Sequence, residues 1–146
     1  MSSWYRWLIE SGDPRVQSWP LVASPVPTIL ICVSYVFFVK FAGPKWMENR
    51  KPFDLRKSMM VYNLLMTLLS FALFYAAGLA GWFGRHSYRC QPVDRSVNGL
   101  FEAKVAYAYY LTKFLEFTDT LFFVLRKKEK QISLLHVIHH GIMPMR

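Results

Sequence analysis

Hydrophobic residues are grouped into long runs along this chain, and polar residues fill the stretches between them. Residues 26–42 form an apolar run with one lysine near its end, and its length is about the minimum that crosses a bilayer. Residues 59–83 contain no charged side chain and are long enough to cross with some tilt. These two runs predict two membrane-spanning helices.

Two further segments predict helices of a more polar kind. Residues 101–125 carry charged side chains among aromatic ones, a pattern typical of an amphipathic surface helix or of a functional span, and we interpret them as a third span. Residues 132–146 begin a fourth apolar helix that is too short to cross. The chain is therefore predicted to be a single all-α membrane domain over residues 1–146, a polytopic transmembrane helix bundle.

Basic residues lie mainly between the apolar runs, and they predict the orientation of the bundle. The chain has 146 residues, of which 53% are hydrophobic, and its net charge is +9. The segments 40–57 and 126–130 are strongly basic, so both are expected on the cytosolic side, beside anionic lipid. The N-terminal segment and residues 85–98 then fall on the lumenal side. This orientation accounts for the charge better than a nucleic-acid partner does.

The third predicted helix has a polar face. Lys113, Glu116, Asp119 and Thr120 are spaced i, i+3, i+6 and i+7, which places them on one helical stripe. Lys113 and Glu116 can form an ion pair that merely tolerates burial, or the helix can lie on the membrane surface with its charges in water. A charge facing lipid costs about 2.5 to 3.5 kcal/mol on insertion scales, so a buried and paired arrangement is favoured.

Three histidines lie within five residues at the start of the fourth predicted helix. His136, His139 and His140 follow the spacing i, i+3, i+4, so their imidazoles project toward one side. Neutral core histidines, or a patch at the cytosolic edge, are the structural alternatives. Imidazole can accept or donate a proton, attack an acyl carbon or bind a metal near neutral pH. The cluster by itself does not choose among these roles.

The short connection 126–131 predicts that the third and fourth helices are antiparallel neighbours. At 1.5 Å per residue, Asp119 and His139 each lie about 10 Å from the cytosolic end, and Lys113 lies about 20 Å from it. Asp119 or Glu116 can therefore orient a histidine ring, with Lys113 as a deeper cation. The sequence predicts a polar pocket inside the bilayer.

Three motifs, and their order along the chain, resemble those of the very-long-chain fatty-acid elongase family. The KxxExxDT motif matches Lys113, Glu116, Asp119 and Thr120, and the HxxHH motif matches His136, His139 and His140. The upstream GPxxMxxRxPF motif matches Gly43, Pro44, Met47, Arg50, Pro52 and Phe53. The resemblance covers most of the chain from about Gly43 onward.

The resemblance implies a multi-pass enzyme of the endoplasmic-reticulum membrane with seven helices, of which this chain holds about four, the last incomplete. Such an enzyme condenses a long-chain acyl-CoA with malonyl-CoA, releases CO2 and CoA and forms a 3-ketoacyl-CoA. No cofactor and no metal are implied. Besides its two substrates and membrane lipid, the expected partners are a second copy of the chain and other enzymes of the elongation cycle.

The resemblance also suggests a role for each polar residue. His139 is expected to attack the acyl thioester, while His136 and His140 position it or move protons. Lys113 is expected to stabilise an enolate, with Glu116 and Asp119 orienting these groups. A further set of basic residues at the cytosolic end is expected to contact CoA phosphates, although the orientation of the bundle explains their charge equally well. These are Arg50, Arg126, Lys127 and Lys128.

Two alternatives remain open at this stage. Membrane desaturases and hydroxylases also use HxxHH motifs, as ligands of two irons, but apart from the cluster the chain offers only His86, in a predicted lumenal loop. The second alternative is a non-catalytic elongase homologue that binds a partner or dimerises in the membrane. The family continues beyond the point that matches Arg146, with HxxMYxYY and TxxQxxQ elements, so we expect this chain alone to be inactive.

Overall fold

Helices account for most of the chain in a computed structural model of the protein, which describes residues 12–87 and 89–145. Short π-helical segments, Phe38–Ala42 and Gly78–Trp82, and 3₁₀ turns, Glu129–Gln131 and Met143–Met145, accompany the α-helices. The α-helices are α1 Pro25–Phe37, α2 Gly43–Met47, α3 Arg56–Ala77, α4 Val97–Leu115, α5 Phe117–Leu125 and α6 Leu134–Ile142. No strand occurs within the described ranges, and the predicted all-α class is confirmed.

Two helical stretches are long and apolar enough to cross a membrane. The first, Pro25–Met47, joins α1 to α2, and the second, Arg56–Trp82, is α3 with its π-helical extension. At 1.5 Å per residue they are about 34 and 40 Å long, and the hydrocarbon core of a bilayer is about 30 Å thick. The protein is a helical membrane bundle, as predicted.

The two more polar segments are also helical, with bounds that differ from the prediction. Helix α4 begins at Val97 rather than at residue 101, and α6 begins at Leu134 rather than at residue 132. Serine side chains explain both starts, because the hydroxyls of Ser96 and Ser133 accept hydrogen bonds from backbone amides of the first turn. Whether residues 101–125 and 132–146 cross the membrane stays a prediction.

A step in the helix at Glu116 separates α4 from α5. The Asp119 amide donates to the Glu116 carbonyl three residues back, at 3.2 Å, instead of four residues back. One turn earlier, the Thr112 hydroxyl donates to the Tyr109 carbonyl at 2.6 Å, and such bonds to a preceding turn often bend helices. The predicted third helix is therefore two helices, and Glu116 lies at the junction between them.

The core of the bundle lies where α1, α2, α5 and α6 meet. Tyr35 of α1 stacks on Phe117 of α5 with 4.1 Å between the ring centroids. Helix α3, in contrast, buries no residue, and Phe71 is 70% exposed. Lipid tails are as apolar as leucine, so such a face is stable in a bilayer. The buried core residues are Cys32, Tyr35, Val39, Met47, Phe117, Val124, Ile132 and Val137.

Candidate active site

The histidine cluster is carried by α6, which packs against α1. Gly141 allows this close approach, because a Cβ at that position would lie 3.2 Å from a Val36 methyl group. The His140 ring centroid is 4.5 Å from that of His136 and 5.4 Å from that of His139. His136 and His140 are partly buried, whereas His139 is exposed. The three imidazoles thus form one group with a single open member.

A chain of hydrogen bonds connects His136 to α5 and α1. The Thr120 hydroxyl lies 2.9 Å from Nε2 of His136 and 2.8 Å from the Tyr35 hydroxyl. Thr120 is fully buried, so its hydroxyl is not accessible to water. Thr120 belongs to the predicted polar stripe, but Tyr35 was missed. Its only signal in the sequence is a hydroxyl within an apolar run.

Glu116 brings the polar stripe and the histidine cluster together. Lys113 Nζ donates to Glu116 Oε1 at 2.6 Å and lies 4.5 Å from the centre of the Tyr109 ring. The other carboxylate oxygen of Glu116 is 3.9 Å from Nδ1 of His140, which is too far for a hydrogen bond. That buried Nδ1 has no hydrogen-bond partner within the described residues. A polar group that enters between Glu116 and His140 can satisfy it.

Asp119 occupies a different side of the site. It interacts electrostatically with Glu116 and His136, and its carboxylate lies near the Tyr62 hydroxyl of α3. The side chain that hydrogen-bonds His136 is Thr120, not Asp119. Of the two carboxylates predicted to orient a ring, Glu116 is therefore beside His140, and Asp119 acts on His136 through space.

The basic residues predicted to contact CoA phosphates differ in their surroundings. The Arg50 guanidinium lies 4.2 Å from the Trp46 ring centre, and Arg126 contacts the sulfur of Met59. Lys127 Nζ donates to the Glu48 carbonyl at 3.0 Å, and Lys128 is exposed.

A cavity of about 390 Å³ lies beside these basic residues, and Lys127 lines it together with Lys45, Glu48 and Glu129. Since two carboxylates share this cavity with two ammonium groups, its charge is mixed. Arg50 and Lys128 are the exposed members of the predicted set, and the Arg50 guanidinium lies against the Trp46 ring, so Lys128 is the member best placed to meet an anion from solution.

Within the described residues, the histidine cluster is not part of an arrangement of side chains that could hold a metal ion. Among residues 12–87 and 89–145, no group of three or more His, Cys, Asp or Glu side chains has a metal-binding arrangement. His86, the other histidine, pairs with Glu102 near the beginning of α4, far along that helix from Glu116. The described residues therefore do not favour the di-iron alternative.

Comparison with known proteins gives a consistent result over nearly the whole chain. Residues 20–146 match the family model described as ELO, GNS1/SUR4 family. A very long chain fatty acid elongase of Aedes aegypti is 49% identical over 99% of this chain and 41% of its own length. Elongase 7 of Drosophila melanogaster is 47% identical over 97% of this chain and 44% of its own, and human elongase 1 is 42% identical over 96% and 51%. The chain thus spans about half, or less, of these relatives.

Proposed function

The chain belongs to the ELO (GNS1/SUR4) family, and we propose that it forms the N-terminal part of an enzyme that condenses long-chain acyl-CoA with malonyl-CoA. The products are a 3-ketoacyl-CoA, CO2 and CoA, so the enzyme is an acyltransferase that carries out the first step of fatty-acid elongation. The observation that carries the proposal is the grouping of three imidazoles with the Lys113–Glu116 ion pair. The names of the relatives indicate the same pathway.

In the first half-reaction, a nitrogen of the His139 ring attacks the thioester carbonyl of the acyl-CoA. The carbon–sulfur bond breaks, CoA leaves as a thiol, and the acyl group stays on the imidazole. His139 suits this role because it is the exposed member of the cluster, so a substrate can reach it. His140, whose ring centroid lies 5.4 Å from that of His139, is the neighbour that can hold the ring or take its proton, and His136 adjoins His140.

In the second half-reaction, malonyl-CoA loses CO2, and the electrons of the broken carbon–carbon bond form an enolate. The enolate carbon attacks the acyl carbon, the bond to the imidazole breaks, and the 3-ketoacyl-CoA leaves. The enolate oxygen needs a hydrogen-bond donor, and Lys113 provides an ammonium group that Glu116 holds in place. The unpartnered Nδ1 of His140 offers a second position for a substrate group.

The environment of the reaction follows from the same proposal. We place the enzyme in the endoplasmic-reticulum membrane as a multi-pass protein, with the basic segments 40–57 and 126–130 facing the cytosol. Both CoA esters then enter from the cytosolic end, where Arg50, Arg126, Lys127 and Lys128 lie. Lys128 is the first candidate for a phosphate contact, because the other three already interact with neighbouring groups.

A chimeric protein tests this function. Residues 1–146 replace the matching segment of the Aedes aegypti relative, and microsomes containing the chimera are assayed for incorporation of labelled malonyl-CoA into long acyl-CoA. We expect incorporation by the chimera and its loss in His139→Ala, while Ile138→Ala, an exposed neighbour on α6, retains it. Equal membrane insertion of the three proteins is the control.

A second measurement identifies the nucleophile. The chimera is incubated with acyl-CoA alone, and the peptide that contains α6 is examined by mass spectrometry for an added acyl group. An adduct at His139 is the expected result. Activity retained by His139→Ala would exclude His139 as the nucleophile, and Lys113→Ala, expected to lower kcat about 10² to 10³-fold, tests the donor separately.

A further inference from the structure

Tyr62 of α3 contacts both helices that meet at the step beside the candidate active site. Its hydroxyl donates to the carbonyl of Leu115, the last residue of α4, at 3.1 Å. Its ring stands edge-on to the ring of Phe122 on α5, with 5.4 Å between the centroids. One side chain of α3 therefore bridges the end of α4 and the body of α5.

The hydrogen bond from Tyr62 takes the place of one that the interrupted helix does not make. In a continuous α-helix, the Leu115 carbonyl would accept from the Asp119 amide four residues ahead. The helix is interrupted at Glu116, and the Asp119 amide donates to the Glu116 carbonyl at 3.2 Å. An unbonded carbonyl is costly away from water, so the Tyr62 hydroxyl stabilises the interrupted form.

The position of the Lys113–Glu116 ion pair depends on this step. Glu116 Oε1 accepts from Lys113 Nζ at 2.6 Å, and Oε2 lies 3.9 Å from Nδ1 of His140. Lys113 is on the α4 side of the step, whereas Thr120, which hydrogen-bonds His136, is on the α5 side. Joining α4 and α5 into one helix would turn Lys113 relative to Thr120, and so move the ion pair relative to the histidine cluster.

We propose that Tyr62 is a positioning residue for the second half-reaction, an inference that rests on the proposed function. Its hydroxyl keeps α4 and α5 apart as two helices, and their separation sets where Lys113 lies relative to an acyl group on His139. Tyr62 acts through the backbone of the step and not on the substrate. Without the hydroxyl, the last carbonyl of α4 is satisfied when the two helices join, and Lys113 is then displaced from the enolate.

Steady-state kinetics of the chimera described above distinguish positioning from a general loss of stability. Tyr62→Phe removes the hydroxyl and keeps the ring against Phe122. In a reaction with an acyl-enzyme intermediate, kcat/KM for acyl-CoA reports the first half-reaction and kcat/KM for malonyl-CoA the second. We expect the first value to stay at that of the parent and the second to fall about 10- to 100-fold, because a misplacement of about 1 Å costs this much. A variant that is only less stable lowers both values equally.

Two further variants complete the kinetic test. Tyr75→Phe makes the same substitution at an exposed position of α3 and should leave both values unchanged. The Asp119 carboxylate also lies near the Tyr62 hydroxyl, which has one proton to donate. Asp119→Asn is therefore the background that separates an effect on the step from an effect on this carboxylate.

Hydrogen exchange of the backbone reports the step directly, whether or not the chimera is active. In Tyr62→Phe, the amides of residues 117–119 should exchange more slowly, because a continuous helix bonds each of them to a carbonyl four residues back. The same slowing is expected when Tyr62→Phe is combined with Asp119→Asn. Tyr75→Phe should leave the exchange of these amides unchanged.

The outcomes separate this inference from the function on which it rests. A parent chimera that inserts normally but incorporates no malonyl-CoA overturns the proposed function and the role in the second half-reaction with it. With an active parent, the positioning role alone is overturned if kcat/KM for malonyl-CoA does not fall, or if both kcat/KM values fall equally. Exchange that is unchanged, or that slows only while Asp119 is present, also overturns it. A loss confined to malonyl-CoA, with slower exchange in both backgrounds, supports it.

Discussion

Hydrogen bonds of single residues decide how the His136 imidazole of this site is oriented. The His136 ring is tied through Thr120 to Tyr35, three side chains from three different helices. The hydroxyl of Thr120 can donate only one proton, so the direction of the Tyr35 bond restricts which role Nε2 of His136 takes. Tyr35 is in this sense a positioning residue, since it contacts His136 only through Thr120.

Tyr35→Phe is expected to disturb His136 and to lower stability by about 1 kcal/mol, the usual contribution of one hydrogen bond. Tyr110→Phe is its matched control, because the Tyr110 hydroxyl bonds the Thr28 hydroxyl at 2.6 Å without reaching a histidine. Thermal unfolding should show similar losses, whereas the His136 imidazole resonances should shift only in Tyr35→Phe. Equal effects of the two variants on His136 would contradict the positioning role.

Asp13 provides a prediction about pH. The Arg15 guanidinium, which hydrogen-bonds the carboxylate, lowers the Asp13 pKa from 3.8 to about 2. A depressed pKa means that the pair contributes fully above about pH 4 and is lost as the pH falls through about 2. In Arg15→Gln, the Asp13 pKa should rise toward 3.8 in an NMR titration of the carboxyl carbon. The Asp94 pKa, lowered mainly by bonds from Ser96, should change much less.

At the scale of elements, the way α5 ends determines the backbone conformation of the basic segment 126–130 that follows it. The Lys128 amide donates to the Phe123 carbonyl and the Lys127 amide to the Val124 carbonyl, the pattern of a Schellman cap. Lys127 has φ 54°, a left-handed conformation that favours glycine. Its side chain compensates by donating to the Glu48 carbonyl at the end of α2.

Substitutions at Lys127 should separate these two effects. Lys127→Ala keeps the left-handed strain and loses the bond to Glu48, so we expect a loss of about 1 kcal/mol. Lys127→Gly loses the same bond but relieves strain of about 1 kcal/mol, so its free energy of unfolding should stay near that of the parent. Lys128→Gly, at a residue with negative φ, should gain nothing. A glycine variant no more stable than the alanine variant would contradict this account.

The sequence predicts those features of the helices that depend on neighbouring residues along the chain. The apolar runs 26–42 and 59–83 lie almost entirely inside observed helices, because length and hydrophobicity are sufficient to indicate them. The step at Glu116 was not predicted, since it depends on a Thr112 hydrogen bond to the preceding turn. Nor was the Tyr35–Thr120 bond, which joins residues 85 positions apart. Its formation depends on how α1 and α5 pack.

At the scale of the molecule, the two charged pairs and the basic segments lie at different positions along the bundle axis. Lys113 and Glu116, on the segment that we predict to span the membrane, are paired with each other, as such a span requires of its charges. The His86–Glu102 pair lies near the loop that connects α3 to α4, and the basic segments lie at the opposite end. The sequence placed His86 in that loop but gave no sign of its partner, because the pairing arises from the return of the chain through α4.

The orientation of the bundle is tested by new glycosylation acceptors, because the acceptor motif Asn-x-Ser is modified only on the lumenal side. The single substitution Asp94→Asn creates this motif with Ser96, in the loop predicted to be lumenal, and asparagine retains an oxygen that can accept from the Ser96 amide. Arg56→Asn creates it with Ser58, at the end of the basic segment 40–57, which is predicted to be cytosolic. In microsomes, we expect a glycan, removable by endoglycosidase, on the first variant alone. A glycan on Arg56→Asn alone would reverse the orientation and place the basic segments, and with them the entrance proposed for both CoA esters, in the lumen.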